Sequence, residues 1–208
     1  MTLENWDYRK QKYILYRSSE QHREDCAQFP FDQIPCRVFL DTNVINLLVK
    51  HSAHVFGHEP LVADTEETLA EDIEALTHVF HVGARANWDL CGSQKTIDEL
   101  SRTKSASLRS DMLDYALGLM NQVVDDEDQK FAADFGRRLV GTHFVSALPD
   151  TADQELIGNA IGLGCDSFCT CDRATIVRKR QQMKGIPLRI FTPSEWWAHI
   201  KPWAGLWA

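Results

Sequence analysis

Short apolar runs alternate with stretches of helical periodicity along most of the chain. Residues 36–40 are apolar and end in a polar turn, which is typical of a buried strand. Apolar residues between Thr68 and Arg85 recur at steps of three and four, as on one face of a helix. The same signals predict strands at 88–91, 167–170 and 188–191, and helices at 44–50, 95–103, 107–120, 131–139, 151–163, 172–183 and from 192 onward. This order predicts an α/β fold with a parallel sheet and helices on both of its faces.

Local motifs mark the ends of two predicted helices. Thr151 and Gln154 fit a capping box that starts a helix, and Gly164 suits its end. Asp172 opens the next helix, which we expect to run to about residue 183 before Gly185. Residues 51–67 contain three histidines but no clear helix, so we expect a solvent-facing insertion rather than a metal site.

The chain divides into three predicted parts. Residues 1–35 form an N-terminal extension that is predicted to be helical and to pack on its own domain or on a partner. Its mixed aromatic and basic residues are also suited to contact nucleic acid. They are Trp6, Tyr8, Tyr13, Tyr16, Arg9, Lys10, Lys12 and Arg17. Residues 36–195 form the main domain. Residues 196–208 form a Trp-rich C-terminal tail, which either marks an interface or packs back onto the domain.

Length and charge place limits on this prediction. A chain of 208 residues suits one domain with additions, and its formal charge of 22 − 30 = −8 is unusual for a nucleic-acid binder. The start carries acids rather than an apolar leader, and no run of 18 apolar residues is present. The six cysteines lack the dense pattern of secreted proteins. We therefore expect a reduced, cytoplasmic protein with no membrane span.

Four acids lie at or near the ends of predicted elements. Asp41 follows the first apolar strand, Glu99 lies on a helix, and Asp153 and Asp172 flank the 167–170 strand. Parallel α/β sheets build their sites at such ends, and carboxylates gathered there repel one another unless cations neutralise them. Taken singly, Glu99, Asp153 and Asp172 also have ordinary structural explanations as helix-cap, first-turn or surface residues. Asp41 is harder to explain in this way, because an acid that ends an apolar strand is costly without a partner. Together they predict a Mg²⁺- or Mn²⁺-dependent phosphodiesterase.

These segments resemble the PIN domain, a small α/β nuclease fold. The resemblance rests on Val38-Phe-Leu-Asp41-Thr42-Asn43, on Glu99-Leu100, and on Asp153 followed by Thr170-Cys-Asp172. It covers roughly residues 36–195 and implies a three-layer α/β/α fold with a central parallel sheet. It also implies a metal-dependent endoribonuclease, of the kind found in toxin–antitoxin pairs, defence or RNA processing. The N-terminal extension, the insertion and the Trp-rich tail make this chain larger than the minimal toxin form.

The resemblance also assigns roles to individual residues. Catalysis and Mg²⁺ or Mn²⁺ binding fall to four acids (Asp41, Glu99, Asp153 and Asp172), with one or two metals left open and Asp98 a competitor for the role of Glu99. Three polar side chains would fix those carboxylates (Thr42, Asn43 and Thr170). Four basic side chains would hold the RNA backbone (Arg102, Arg173, Arg178 and Lys179), although a solvated helix face explains them equally well.

Two other functions compete with this one. A PIN-like RNA- or protein-binding module without catalysis would share the fold, although such modules tend to lose acids that this chain retains. A metal-dependent phosphatase is a further alternative, although Asp41-Thr-Asn43 lacks the second acid that one large phosphatase class requires. The expected partners are an RNA substrate, with DNA left open, a protein inhibitor or antitoxin, and a second copy of the chain.

Overall fold

The computed structural model describes residues 3–7, 12–17, 19–28, 33–62, 64–86, 88–123 and 125–204. The chain forms two compact units. The first contains residues 1–35, 51–87 and 193–208, and the second contains residues 36–50 and 88–192. Segment 51–87, which the sequence analysis placed inside a 36–195 domain, therefore belongs to the same unit as the N- and C-terminal segments.

A four-stranded parallel sheet organises the second unit. Its strands are β3 (Arg37–Leu40), β4 (Asp89–Cys91), β5 (Ser167–Cys169) and β6 (Arg189–Phe191), in the order β4-β3-β5-β6. Phe39 pairs with Cys91 on one side and with Phe168 on the other. The predicted α/β class with a parallel sheet is confirmed. Because all four strands run the same way, their carboxyl ends lie at one edge, where residues 41 and 170 follow β3 and β5.

The central strands are apolar because both of their faces are covered. Val38, Phe39 and Leu40 are fully buried, as is Phe168 on the neighbouring strand. The rings of Phe39 and Phe168 stack with centroids 5.3 Å apart. Continuous apolar runs of this kind are expected of parallel strands, and they fix the residue at which β3 ends.

Five helices complete this unit: α2 (Thr42–Lys50), α5 (Gln94–Leu100), α6 (Ala106–Val123), α7 (Asp126–Leu139) and α8 (Thr151–Gly162). Small residues let α7 and α8 approach closely. A Cβ added to Gly158 would lie 2.6 Å from the Cα of Gly136, and one added to Gly162 would lie 2.7 Å from the Cα of Ala132. This close packing fixes the position of α8, which carries Asp153 in its first turn.

The predicted capping box at the start of α8 is wrong. Asp150 is the N-cap, and its carboxylate accepts a hydrogen bond from the Ala152 N–H at 2.8 Å. Asp is at least as good an N-cap as Thr, and Asp150 stands one position earlier. Gln154 instead accepts from the Gly141 N–H at 2.8 Å and donates to the Leu148 carbonyl at 2.7 Å. The helix ends as predicted, with Gly164 at a φ of 68°.

The predicted helix over 172–183 is irregular. A π-helical turn spans Arg173–Val177 and a 3₁₀ turn spans Arg180–Gln182. Thr175, Ile176 and Val177 are β-branched, which disfavours a regular α-helix. Asp172 caps the segment by accepting from the Thr175 N–H at 2.9 Å.

The first unit contains β1 (Leu3–Asp7), β2 (Lys12–Arg17), α1 (Ser19–Gln28), α3 (Ser52–Val55), α4 (Glu67–Ala86) and α9 (Pro193–Ala204). β1 and β2 pair antiparallel, so the helical prediction for the extension is correct for α1 and wrong for these two segments. Residues 12–17 are rich in aromatic and β-branched side chains, which favour strands. The proposed nucleic-acid contact of the aromatic and basic side chains lies outside the side chains that the structure describes.

The Trp-rich segment packs back onto its own unit. Trp196 and Trp203 are buried in α9, and the ring of Trp197 stacks on His78 of α4 at 4.7 Å. Trp207 lies outside the described residues. The predicted solvent-facing insertion is mostly exposed, but it contains the short helix α3 and the buried His54, whose Nδ1 lies 2.6 Å from the Glu59 carbonyl. Among the residues that the structure describes, no helix is long and apolar enough to cross a membrane.

Candidate active site

Asp41 lies at the carboxyl end of β3 and is buried. Its backbone N–H donates to the Cys169 carbonyl at 3.0 Å, which continues the pairing of β3 with β5. Its Oδ1 accepts from the N–H of Thr42 at 2.7 Å and from the hydroxyl of the same residue at 3.2 Å. Its Oδ2 accepts from Asn43 Nδ2 and from Thr170 Oγ1, each at 2.6 Å. Both oxygens therefore accept hydrogen bonds from neighbouring residues.

Burial and hydrogen bonding act in opposite directions on Asp41. Removal of the carboxylate from water raises its pKa, and the hydrogen bonds from Thr170, Thr42 and Asn43 partly offset this by favouring the charged form. Donors from Thr42, Asn43 and Thr170 aimed at one carboxylate favour its charged form, since an ionised carboxylate only accepts. The net effect is a raised pKa, because burial outweighs the local donors.

The loops that follow β3 and β5 are joined by polar side chains. Asn43 Nδ2 donates to Thr170 Oγ1 at 3.2 Å, and Asn43 Oδ1 accepts from the Cys171 N–H at 2.8 Å. Thr170 Oγ1 also accepts from the Asp172 N–H at 3.0 Å. Asp41 and Asp172 are therefore held by the same small network, although 131 positions separate them in the sequence. Thr42, Asn43 and Thr170 fix the carboxylate of Asp41, as the sequence predicted.

Glu99 reaches this network from α5. The hydroxyl of Thr42 lies 3.1 Å from Glu99 Oε2 and 3.2 Å from Asp41 Oδ1, so it bridges the two carboxylates. Burial raises the pKa of Glu99, and the charge of Asp41 raises it further. Asp98 is exposed and accepts from Gln94 at 3.0 Å. Of the two neighbouring acids, Glu99 is therefore the one that reaches the Thr42 hydroxyl beside Asp41.

Asp153 lies in the first turn of α8 and is partly exposed. Its pKa is raised from 3.8 to about 7, first by burial and then by the charges of Asp150, Asp41, Asp172 and Glu99, in that order. Asp153 therefore lies within the electrostatic field of the other three predicted acids. Asp150 was not among the predicted residues, and the signal that could have identified it is an acid just before a helix.

Basic side chains border this acidic region. The charges of Lys95 and Arg102 lower the pKa of Glu99, so both lie within electrostatic range of it. Arg102 and Arg178 are exposed, whereas Arg173 and Lys179 are partly buried in the segment after Asp172. Of the predicted phosphate-binding residues, the structure thus brings Arg102 close to an acid of the site and places the other three in the chain after Asp172.

The donor set suits a hard divalent cation, because carboxylate oxygens are the ligands that Mg²⁺ and Mn²⁺ prefer. In the described part of the chain, however, no three or more His, Cys, Asp and Glu side chains come close enough together to hold one metal ion. The acids share one electrostatic field without converging on one point.

Comparisons with known proteins identify no relative. No family model matches the chain, and no characterised protein or solved structure is significantly similar to it.

Proposed function

We propose that this chain is a metal-dependent endoribonuclease with a PIN-like three-layer α/β/α fold. The supporting observation is the arrangement of four acids around the carboxyl end of a parallel sheet. Asp41 and Glu99 are bridged by one hydroxyl, Asp172 is bonded to the same network, and Asp153 lies in the field of all three. Gathering this much like charge costs free energy, and a divalent cation would remove the cost.

The cation would be Mg²⁺ or Mn²⁺, held by Glu99, Asp153, Asp172 and Asp41. When bound, it supplies a Lewis acid for the phosphoryl oxygens and lowers the pKa of a coordinated water. The chain itself orients the groups around it. Thr42, Asn43 and Thr170 fix the rotamer of Asp41, and Glu99, whose pKa is raised by burial and by the charge of Asp41, would orient the attacking water.

Substrate phosphates require positive charge close to the acids. Arg102 lies near Glu99, Arg173 follows Asp172 directly, and Arg178 and Lys179 lie six and seven residues after Asp172. In this proposal these four side chains bind the phosphates on either side of the cleaved bond. An overall charge of −8 implies that such binding is local to the site and falls steeply with salt.

The test is cleavage of a labelled panel of single-stranded RNA, structured RNA and DNA in Mg²⁺, Mn²⁺ or EDTA. We expect RNA to be cut only with metal, and Glu99→Gln to lower the rate by about 100-fold or more, as loss of a positioned proton-transfer group does. Asp98→Asn is the matched control, since it removes an exposed acid from the adjacent position of the same helix.

Each outcome separates the competing functions. Metal-dependent cutting that survives Asp98→Asn and fails in Glu99→Gln would support the nuclease. If the protein binds RNA but cleaves no member of the panel, and also binds no Mn²⁺, the non-catalytic module would be favoured. Hydrolysis of small phosphate esters in place of RNA would favour the phosphatase.

A further inference from the structure

Two pairs of side chains join the helices that carry Glu99 and Asp153. Lys95 Nζ lies 2.8 Å from Glu155 Oε2, and both side chains are about four-fifths buried, with exposed fractions of 20% and 22%. The Ser93 hydroxyl donates to Asn159 Oδ1 at 3.0 Å, and both residues are almost completely buried. The Asn159 amide nitrogen then donates to backbone carbonyls of α7 and α8 at 3.0 and 3.2 Å.

These pairs are arranged in register along the two helices. Lys95 follows Ser93 along α5, whereas its partner Glu155 precedes Asn159, the partner of Ser93, along α8. The two helices are therefore antiparallel at this contact. Glu99 lies one turn beyond Lys95 on the same face of α5, whereas Asp153 lies in the first turn of α8, two residues before Glu155. We call these two side-chain pairs the α5–α8 clamp.

The clamp is anchored at both ends. On α5, Ser93 is the N-cap and forms a capping box with Thr96, so the hydroxyl that contacts Asn159 also starts the helix that carries Glu99. On α8, the glycine contacts with α7 fix the helix from its other side. The helices that carry Glu99 and Asp153 are thus joined by contacts that involve neither carboxylate.

We propose that Lys95 and Glu155 are positioning residues for the cation site, because their ion pair closes the α5–α8 clamp and so sets the separation of Glu99 and Asp153. This inference rests on the proposed function. A partly buried ion pair is a weak source of stability by itself, because desolvation cancels much of the attraction. Its consequence for the site is geometric, and groups that orient metal ligands typically change metal affinity by 10–100-fold.

The effect of charge alone and the effect of the clamp predict different changes in cation affinity for two substitutions. Lys95→Met removes a positive charge near the acids, so charge alone would strengthen cation binding. Glu155→Gln removes a negative charge, so charge alone would weaken it. If the clamp positions the acids, both variants lose the ion pair and both bind a cation more weakly.

The experiment is a titration of each full-length variant with Mn²⁺, at a temperature where urea curves show every variant to be folded. We expect Lys95→Met and Glu155→Gln each to weaken Mn²⁺ binding by about tenfold or more, and Lys95→Arg to retain most of the wild-type affinity. Asp89→Asn is the control. Asp89 pairs with Arg37 at 3.7 Å at the amino ends of β4 and β3, away from the carboxyl ends where the acids lie. Its loss should leave Mn²⁺ affinity unchanged.

The outcomes keep the two proposals distinct. Stronger binding by Lys95→Met with weaker binding by Glu155→Gln would overturn the clamp and leave the cation site intact. Unchanged affinity in both variants would overturn it as well. Absence of Mn²⁺ binding by the wild-type protein would overturn the metal-dependent function and, with it, the role of the clamp.

Discussion

Replacement of Asp153 by Asn should stabilise the protein, and more so at high pH. The folded state raises the pKa of this group from 3.8 to about 7, so folded Asp153 holds its proton more tightly than unfolded Asp153 does. Between these two values the folded state binds more protons, and its stability therefore falls as pH rises. The penalty is absent below about pH 4 and complete above about pH 7. Asparagine is similar in shape and carries no charge, so the variant should not lose this stability as pH rises.

The size of the effect follows from the same two pKa values. One pKa unit corresponds to about 1.4 kcal/mol, so a difference of roughly three units would give an upper limit of about 4 kcal/mol. Because Asp153 is only partly buried, solvent screening reduces the expected gain to about 2 kcal/mol. Loss of the favourable interaction between an acid and the helix N-terminus subtracts a few tenths of a kcal/mol more.

The assay is urea denaturation of the wild-type protein and Asp153→Asn at pH 5 and pH 8 in EDTA. The advantage of the variant should be larger at pH 8 than at pH 5. Asp128→Asn is the matched control, since Asp128 is exposed and occupies the corresponding third position of α7. It should be neutral or slightly destabilising at both pH values. Equal stability of Asp153→Asn and wild type at pH 8 would refute the account of the shared acidic field.

Three further predictions test the network, the packing and the cation. Thr170→Val should lower the free energy of unfolding by about 1–3 kcal/mol, because a buried carboxylate loses a donor and two N–H groups lose an acceptor. The control Thr77→Val loses only a hydrogen bond to its own helix and should lower the free energy of unfolding by less. Urea denaturation curves measure both variants. Gly158→Ala should lower the melting temperature, since its Cβ would lie 2.6 Å from a backbone atom, whereas Gly118→Ala has open space and should raise stability by about 0.5–1 kcal/mol. Mn²⁺ affinity, measured calorimetrically, should rise with pH through about 7 as Asp153 releases its proton, and the dependence should flatten in Asp153→Asn.

The features that could be predicted from the sequence are those encoded by neighbouring residues. An apolar run followed by a polar turn identified β3 and placed Asp41 at its end, and the same logic found β5 and Thr170. Thr42 and Asn43 donate hydrogen bonds to the carboxylate of the adjacent Asp41, so these contacts could be predicted before the fold was known. The N-terminal hairpin was missed because mixed aromatic and basic residues suit a helix face and a strand equally well.

The features that could not be predicted depend on residues far apart in the chain. Lys95 and Glu155 are 60 positions apart, and nothing near either residue indicates its partner. Gly136 and Gly158 are explained only by the approach of α7 to α8, which a single sequence does not encode in any local pattern. Asp150 was missed for a different reason, since Thr151 offered an equally plausible cap one position later.

The acids differ in what they can reveal about function. Asp41 has a structural role, because its carboxylate accepts hydrogen bonds from Thr42 and Asn43 and, in the loop after β5, from Thr170; replacing it would disturb the fold whether or not the protein is an enzyme. Asp153 lies in the first turn of α8, and its carboxylate, whose pKa is raised to about 7, contributes no stability to the fold near neutral pH. A residue that costs stability where it stands is a mark of a functional site. If Asp153→Asn is more stable than the wild type and inactive on RNA, the loss of activity cannot be attributed to loss of folding, and the proposed nuclease site would be located at this acid.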